Sequence, residues 1–171
     1  MRNQGRRVGL VYLVYFALAM TAEGVLSSGR TLIGTSIEIV SYVLYGVLSF
    51  MLGHLFFERD RRVAVAAVVV SWIGCAIGVL RLGHVSTGIL EPLMFFGIFC
   101  LMLGYLILES GLLPKTLGGL LVLAGVGWLI LSLGHPRAIA PYIQGLGIVA
   151  EFALMVWLLV FGTRKVDAPV G

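Results

Sequence analysis

With 171 residues, 60% of them hydrophobic and only 12% charged, the chain carries more apolar surface than a soluble domain of this size can bury, where roughly 25% charged residues are usual. The length allows one compact unit and no second domain. The net charge of +4 does not point to nucleic acid, because no basic face with interleaved aromatic residues exists outside the tails; basic residues at a membrane rim, facing anionic headgroups, account for it.

A helix that crosses a bilayer needs about 20 apolar residues, since each residue rises about 1.5 Å and the hydrocarbon core is about 30 Å thick. Six runs meet this requirement, predicted at 8–28, 37–57, 63–82, 89–108, 115–133 and 142–162. Their unbroken apolar character predicts helices rather than a barrel. The expected fold is all-α: one transmembrane domain over 1–171, a polytopic bundle of six helices. Connections of about 5 to 10 residues make consecutive helices antiparallel neighbours.

The first run follows Arg2, Arg6 and Arg7, and Ala17-Leu18-Ala19 resembles a cleavage site. That is a signal-peptide pattern, but the segment is expected to form the first span. Helical spacing puts Tyr12, Tyr15, Ala19 and Glu23 on one face of it. On the second run Glu38, Ser41, Tyr42, Tyr45, Ser49 and Gly53 share a side, and Glu58-Arg59-Asp60-Arg61-Arg62 forms the turn that follows. The third run gathers Ser71, Gly74, Gly78 and Arg81. Pro92 opens the fourth, Pro114 precedes the fifth and Pro141 opens the sixth, positions where a missing N–H is harmless. On the sixth, Gln144, Gly147 and Glu151 share a face. Leu80-Arg81-Leu82-Gly83-His84 and Leu131-Ser132-Leu133-Gly134-His135 close the third and fifth runs alike, too short a repeat to establish transporter halves.

Charge sets the expected orientation. Arg2, Arg6, Arg7, Arg59, Arg61, Arg62, Lys115, Arg164 and Lys165 fall in the tails and the second and fourth connections; Arg30, Arg81 and Arg137 fall in the other three. Short loops rich in Lys and Arg stay cytoplasmic, which predicts a multi-pass protein of the bacterial plasma (inner) membrane with both termini inside. The lipid bilayer is then an obligatory partner, and no nucleic acid is expected.

Two sets of residues call for separate readings. Gly74 and Gly78 form a GxxxG pair, and Gly118 and Gly125 thin the fifth run; small residues allow close helix approach, either within the chain or against self or another membrane subunit. Glu23, Glu38, Glu91 and Glu151 lie in or at the ends of spans, with Arg30, Arg81 and Arg137 in the same half of the membrane. Glu38 and Glu91 are expected at the outer ends of their helices and Glu151 near a midpoint. A lone ionised acid at a helix centre costs about 2.5–3.5 kcal/mol in lipid, so these faces should turn inward. They form either a structural ion-pair network that fixes helix register or a proton- or ion-linked site open to the outside. Glu151→Gln separates the two.

Cys75 and Cys100 fall mid-run and are read as reduced core residues. His84 and His135 lie on the same outer edge and raise haem ligation as a minor alternative; otherwise no cofactor and no metal site is expected. No nucleophile elbow, Walker loop, dinucleotide fingerprint or zinc-protease motif is present, so no catalytic residue is nominated and no enzyme is expected.

Leu103-Gly104-Tyr105-Leu106, then Glu109-Ser110-Gly111-Leu112-Leu113-Pro114-Lys115, Leu117-Gly118 and Leu123 to Trp128 resemble an uncharacterised bacterial six-helix membrane family, domain of unknown function 4386. The motif G-Y-L-x-x-x-S-G-x-x-P-[KR]-x-L-G carries most of the likeness. Glu151-Phe152 to Trp157-Leu158-Leu159 resembles the family's last helix and Tyr12 to Glu23 its first, while the first outer loop is shorter than the family's. The resemblance implies six helices in a bacterial inner membrane and supplies no activity. Three functional readings stand: a non-enzymatic accessory subunit or interaction module of a larger membrane assembly; a small proton- or ion-linked solute transporter using an outward-facing Glu/Arg site; and a haem- or quinone-associated redox protein. A subunit should point its small-residue faces outward. A transporter should show a wet cavity reaching Glu151 from the outer side.

Overall fold

A computed structural model describes residues 2–85, 87–88, 90–134 and 138–164. They form six helices: α1 (Arg2–Ser27), α2 (Thr31–Phe56), α3 (Arg61–Leu82), α4 (Pro92–Ser110), α5 (Lys115–Gly134) and α6 (Ala140–Val160). All six are long and apolar enough to cross a membrane. Each helix packs against the next, and α6 closes back on α1, so the bundle is a ring. Both tails meet at one end, where the Arg6 guanidinium donates to the Val160 carbonyl (2.9 Å). We call this the terminal end and the other the distal end.

The helices run further than hydropathy predicts. α1 begins six residues before its expected start and α2 six before its own, leaving only residues 28–30 between them. Polar residues such as Arg6, Arg7, Thr31 and Thr35 are no obstacle to helical hydrogen bonding; they end an apolar count, not a helix. Three of the five connections are therefore shorter than the 5 to 10 residues expected. The capping chemistry follows the sequence. Asp60 accepts from the backbone N–H of Arg62 (3.0 Å) and Val63 (3.1 Å), a contribution of about 1 kcal/mol to starting α3. Pro92 lies at the start of α4 and Pro141 near the start of α6. Two residues beyond α3, His84 takes φ +59°, the left-handed conformation usually left to glycine.

The family-like motif is a helical hairpin. Gly104 and Gly118 face each other so closely that a Cβ on either would lie 2.8–2.9 Å from the other's carbonyl oxygen. One heptad away, Gly97 and Gly125 repeat the arrangement. Between the helices Gly111 takes φ +66°, and the Ser110 hydroxyl accepts from the Leu112 N–H (3.2 Å). Leu112, Leu113 and Leu117 are buried beneath the turn. The Arg164 N–H then donates to the Leu112 carbonyl (2.9 Å), tying the end of the described chain to this turn.

Gly74 meets Phe95 and Phe96 of α4, and Gly78 meets the ring of Tyr42 on α2. These glycines, like Gly118 and Gly125, are filled from within the chain. Cys75 and Cys100 are free thiols, both buried.

Candidate functional site

The ring of helices is not filled uniformly. Near the terminal end Leu48, Leu52, Phe56, Leu106, Leu154 and Leu158 are almost fully buried. Towards the distal end the interior opens into a cavity of about 280 Å³. It runs from Glu23 and Leu26, near the distal end of α1, to Glu151, midway along α6.

Three carboxyl groups line this cavity: Glu23, Glu38 and Glu151. Glu38 does not sit at the end of its helix as expected. Because α2 starts at Thr31, the residue lies seven positions inside, about 10 Å along the axis. Glu151 receives a hydrogen bond from the buried Tyr12 hydroxyl. The rest of the wall is aromatic. Tyr15 and Tyr45 have ring centroids 4.8 Å apart, and Tyr45 meets Phe96 edge-on at 5.1 Å. Trp128 of α5 closes the side beside α6 and seats its indole against Gly147, where no Cβ would fit. Only a glycine one turn before Glu151 allows that indole to approach.

Of the four acids and three arginines weighed as an ion-pair network, one pair is seen among the described residues. Among the described residues the salt bridge is Arg81–Glu91, at the distal ends of α3 and α4. Arg81 and Glu91 line a neighbouring hollow that shares Glu38, Tyr42 and Phe96 with the main cavity. Arg30 is exposed ahead of α2. Arg137 lies outside the described residues. Among the described residues no Lys or Arg lines the main cavity. The structure thus gathers Glu23, Glu38 and Glu151 and separates Glu91 from them with its own partner.

Of the two histidines weighed as haem ligands, His84 is exposed at the end of α3, and His135 lies outside the described residues. Among the described residues no group of three or more His, Cys, Asp or Glu side chains has a metal-holding arrangement.

Residues 84–162 match the family model described as a domain of unknown function, DUF4386. This is the family whose motif was read in the sequence, and the match takes in the α4–α5 hairpin and the Glu151 helix. The DUF4386 segment excludes α1 to α3, so the likeness seen over Tyr12 to Glu23 lies outside it. An uncharacterized protein of Archaeoglobus fulgidus is 34% identical over 71 residues, which are 42% of this chain and 44% of that protein. The match thus spans less than half of that relative's length. No solved structure matches.

Sequence spacing brought the polar faces of α1, α2 and α6 together but missed two walls of the cavity. Trp128 and Phe96 stand in apolar stretches and carry no periodic signal. The one available hint was Gly147, whose missing side chain marks where a large neighbour must fit.

Proposed function

We propose that this chain is a small proton- or ion-linked solute transporter of the plasma membrane, with its solute site in the distal cavity. The observation that carries the reading is that Glu23, Glu38 and Glu151 line one cavity with no basic side chain among the described residues lining it. Acids placed for structure alone take a partner, as Glu91 does with Arg81. Acids left facing a cavity exchange protons or bind cations. The excess of Lys and Arg at the terminal end supports an orientation with both tails in the cytoplasm, so that the cavity faces outward. No enzymatic step and no resident cofactor are assigned.

The test is proton movement in liposomes containing the purified full chain and an entrapped pH-sensitive dye, under an imposed membrane potential, across a panel of organic cations, organic anions and neutral solutes. Solute-dependent proton movement that disappears in Glu151→Gln is expected. Unchanged movement in that variant, or a variant that loses only thermal stability, overturns the reading in favour of a structural role for the acids.

A second reading, an accessory subunit or interaction module of a larger membrane assembly, has one observation in its favour. Between α2 and α3 a bilayer-facing apolar groove is lined by Val43, Gly46, Val47, Phe50, Trp72 and Val79, and the Trp72 indole N–H donates to the Gly46 carbonyl across it (2.9 Å). The inward filling of Gly74, Gly78, Gly118 and Gly125 speaks against it. Recovery of a stoichiometric second polypeptide after mild-detergent purification would reverse that preference.

A further inference from the structure

We infer that the ligand of the distal cavity is a monovalent organic cation with an aromatic or aliphatic body, and that it and a proton compete for Glu151. This inference rests on the transporter reading and names the substrate class of the same site.

Charge gives the sign of the ligand. Three carboxyl groups line the cavity, and the Arg81 guanidinium belongs to the adjoining hollow and is held by Glu91. An anionic or neutral solute would leave these acids uncompensated. A cation compensates them, and so does a proton, which makes the two alternatives at one carboxyl group.

The wall gives the body. Tyr15, Tyr42, Tyr45, Phe96 and Trp128 surround the acids, and aromatic faces attract cations, most strongly where water is excluded. A small hydrated metal ion makes no use of such a wall. An ammonium group carrying alkyl or aryl substituents uses both the acids and the rings.

Tyr45 adds an independent sign of vacancy in the polar network. The residue is 5% exposed and lines the cavity, yet no hydrogen bond to its hydroxyl forms among the described residues. A hydroxyl that faces a cavity is poised for a partner that arrives.

The access route agrees with a lipophilic body. A side cavity of about 160 Å³ between α1, α5 and α6 also reaches Glu151, Tyr15 and Trp128. Met20 and Ile148 line it and face outward, 54% and 46% exposed, which in a bilayer means exposed to acyl chains. Glu151 is thus approached from the lipid as well as from the distal end.

Competition with protons depends on every titratable group near Glu151. These are Tyr12 and Tyr15 on α1, Tyr45 on α2 and Cys100 on α4, with Glu23 and Glu38 further out in the same cavity. α5 contributes Trp128, which does not titrate. Of these groups Glu151 is the carboxyl that a proton and the cation would share, so binding should strengthen as pH rises.

The test uses benzyltrimethylammonium, whose charge is independent of pH, in equilibrium binding to the purified full chain in lipid nanodiscs. Affinity is expected to rise several-fold from about pH 5 to about pH 8 as the cavity carboxyl gives up its proton, and neopentylbenzene, its neutral isostere, should not compete. Glu151→Gln should lower affinity at least about tenfold and flatten the pH dependence, while Glu58→Gln at the opposite end changes neither. Should Glu151→Gln fail to fold, Trp128→Leu provides the second measure, with an expected loss of several-fold. Equal competition by neopentylbenzene, pH-independent binding or full displacement by sodium overturns the inference. Proton movement with some other solute, without binding of this cation, also overturns it but leaves the transporter reading intact. Cation binding that shows the expected pH and variant behaviour without solute-dependent proton movement removes the transporter reading and leaves the site.

Discussion

The α4–α5 hairpin and the α1–α6 seam are both antiparallel helix pairs, and both use glycine for close approach, but they end differently. In the hairpin Gly97, Gly104, Gly118 and Gly125 recur at heptad spacing, so the two helices stay close along their length. In the seam the glycines are confined to one end. A Cβ on Gly5 would lie 2.6 Å from the backbone N of Thr163, and one on Gly9 as near to that of Leu159. Beyond Gly9 the facing residues are large: Phe16 meets Phe152 with centroids 5.8 Å apart. From there the seam widens, and Ala19, Met20, Ile148 and Glu151 border the side cavity. Where small residues continue, the interface is dry; where they stop, space for a ligand begins. Lipid offers no hydrophobic drive for helices to associate, so backbone proximity has to come from residue size.

Three changes break this contrast, in order of effect. Gly118→Val with Gly125→Val places branched side chains against the α4 backbone. Overpacking of this kind costs about 1–3 kcal/mol at each site, and the pair should lower the thermal unfolding midpoint the most of the three. Gly9→Val attacks the seam instead. We expect a smaller loss, with a local signature: Cys100, buried near the Tyr12 and Glu151 pair, becomes reactive to a thiol reagent, while Cys75 on α3 does not. Equal exposure of both cysteines would mean that seam and hairpin do not open separately. Gly147→Ala has the smallest effect on stability. Its methyl group pushes the Trp128 indole off its seat and into the cavity, so cation binding should fall several-fold while the unfolding midpoint moves little. A large drop in that midpoint would show that the indole supports the bundle rather than lining a site.

How much of the molecule was legible in the sequence depends on the kind of signal. Six helices and their antiparallel order follow from apolar runs and short connections, because the bilayer demands both. The ends of α1 and α2 did not follow, since hydropathy stops at Arg7 or Ser36 while backbone hydrogen bonding continues. The depth of Glu38 was misjudged for that reason alone. The inward faces of α1, α2 and α6 could be read because a polar group in lipid has few places to go. Their partners in the cavity could not, because Phe96 and Trp128 look like any apolar residue facing lipid. Which acid meets which arginine could not be read for a different cause. Residue counts match charges, but only geometry assigns them, and geometry gave Arg81 to Glu91.

The closed ring has a consequence for the order of assembly. Of these six helices the first and the sixth are neighbours, so α1 must stand in the bilayer with one flank uncovered until α6 has been synthesised. Glu151 therefore enters the membrane on the sixth helix, and Tyr12, already waiting, is what it meets. The distal cavity comes into existence only with that step, and a chain stopped before α6 would be an open arc with no cavity at all.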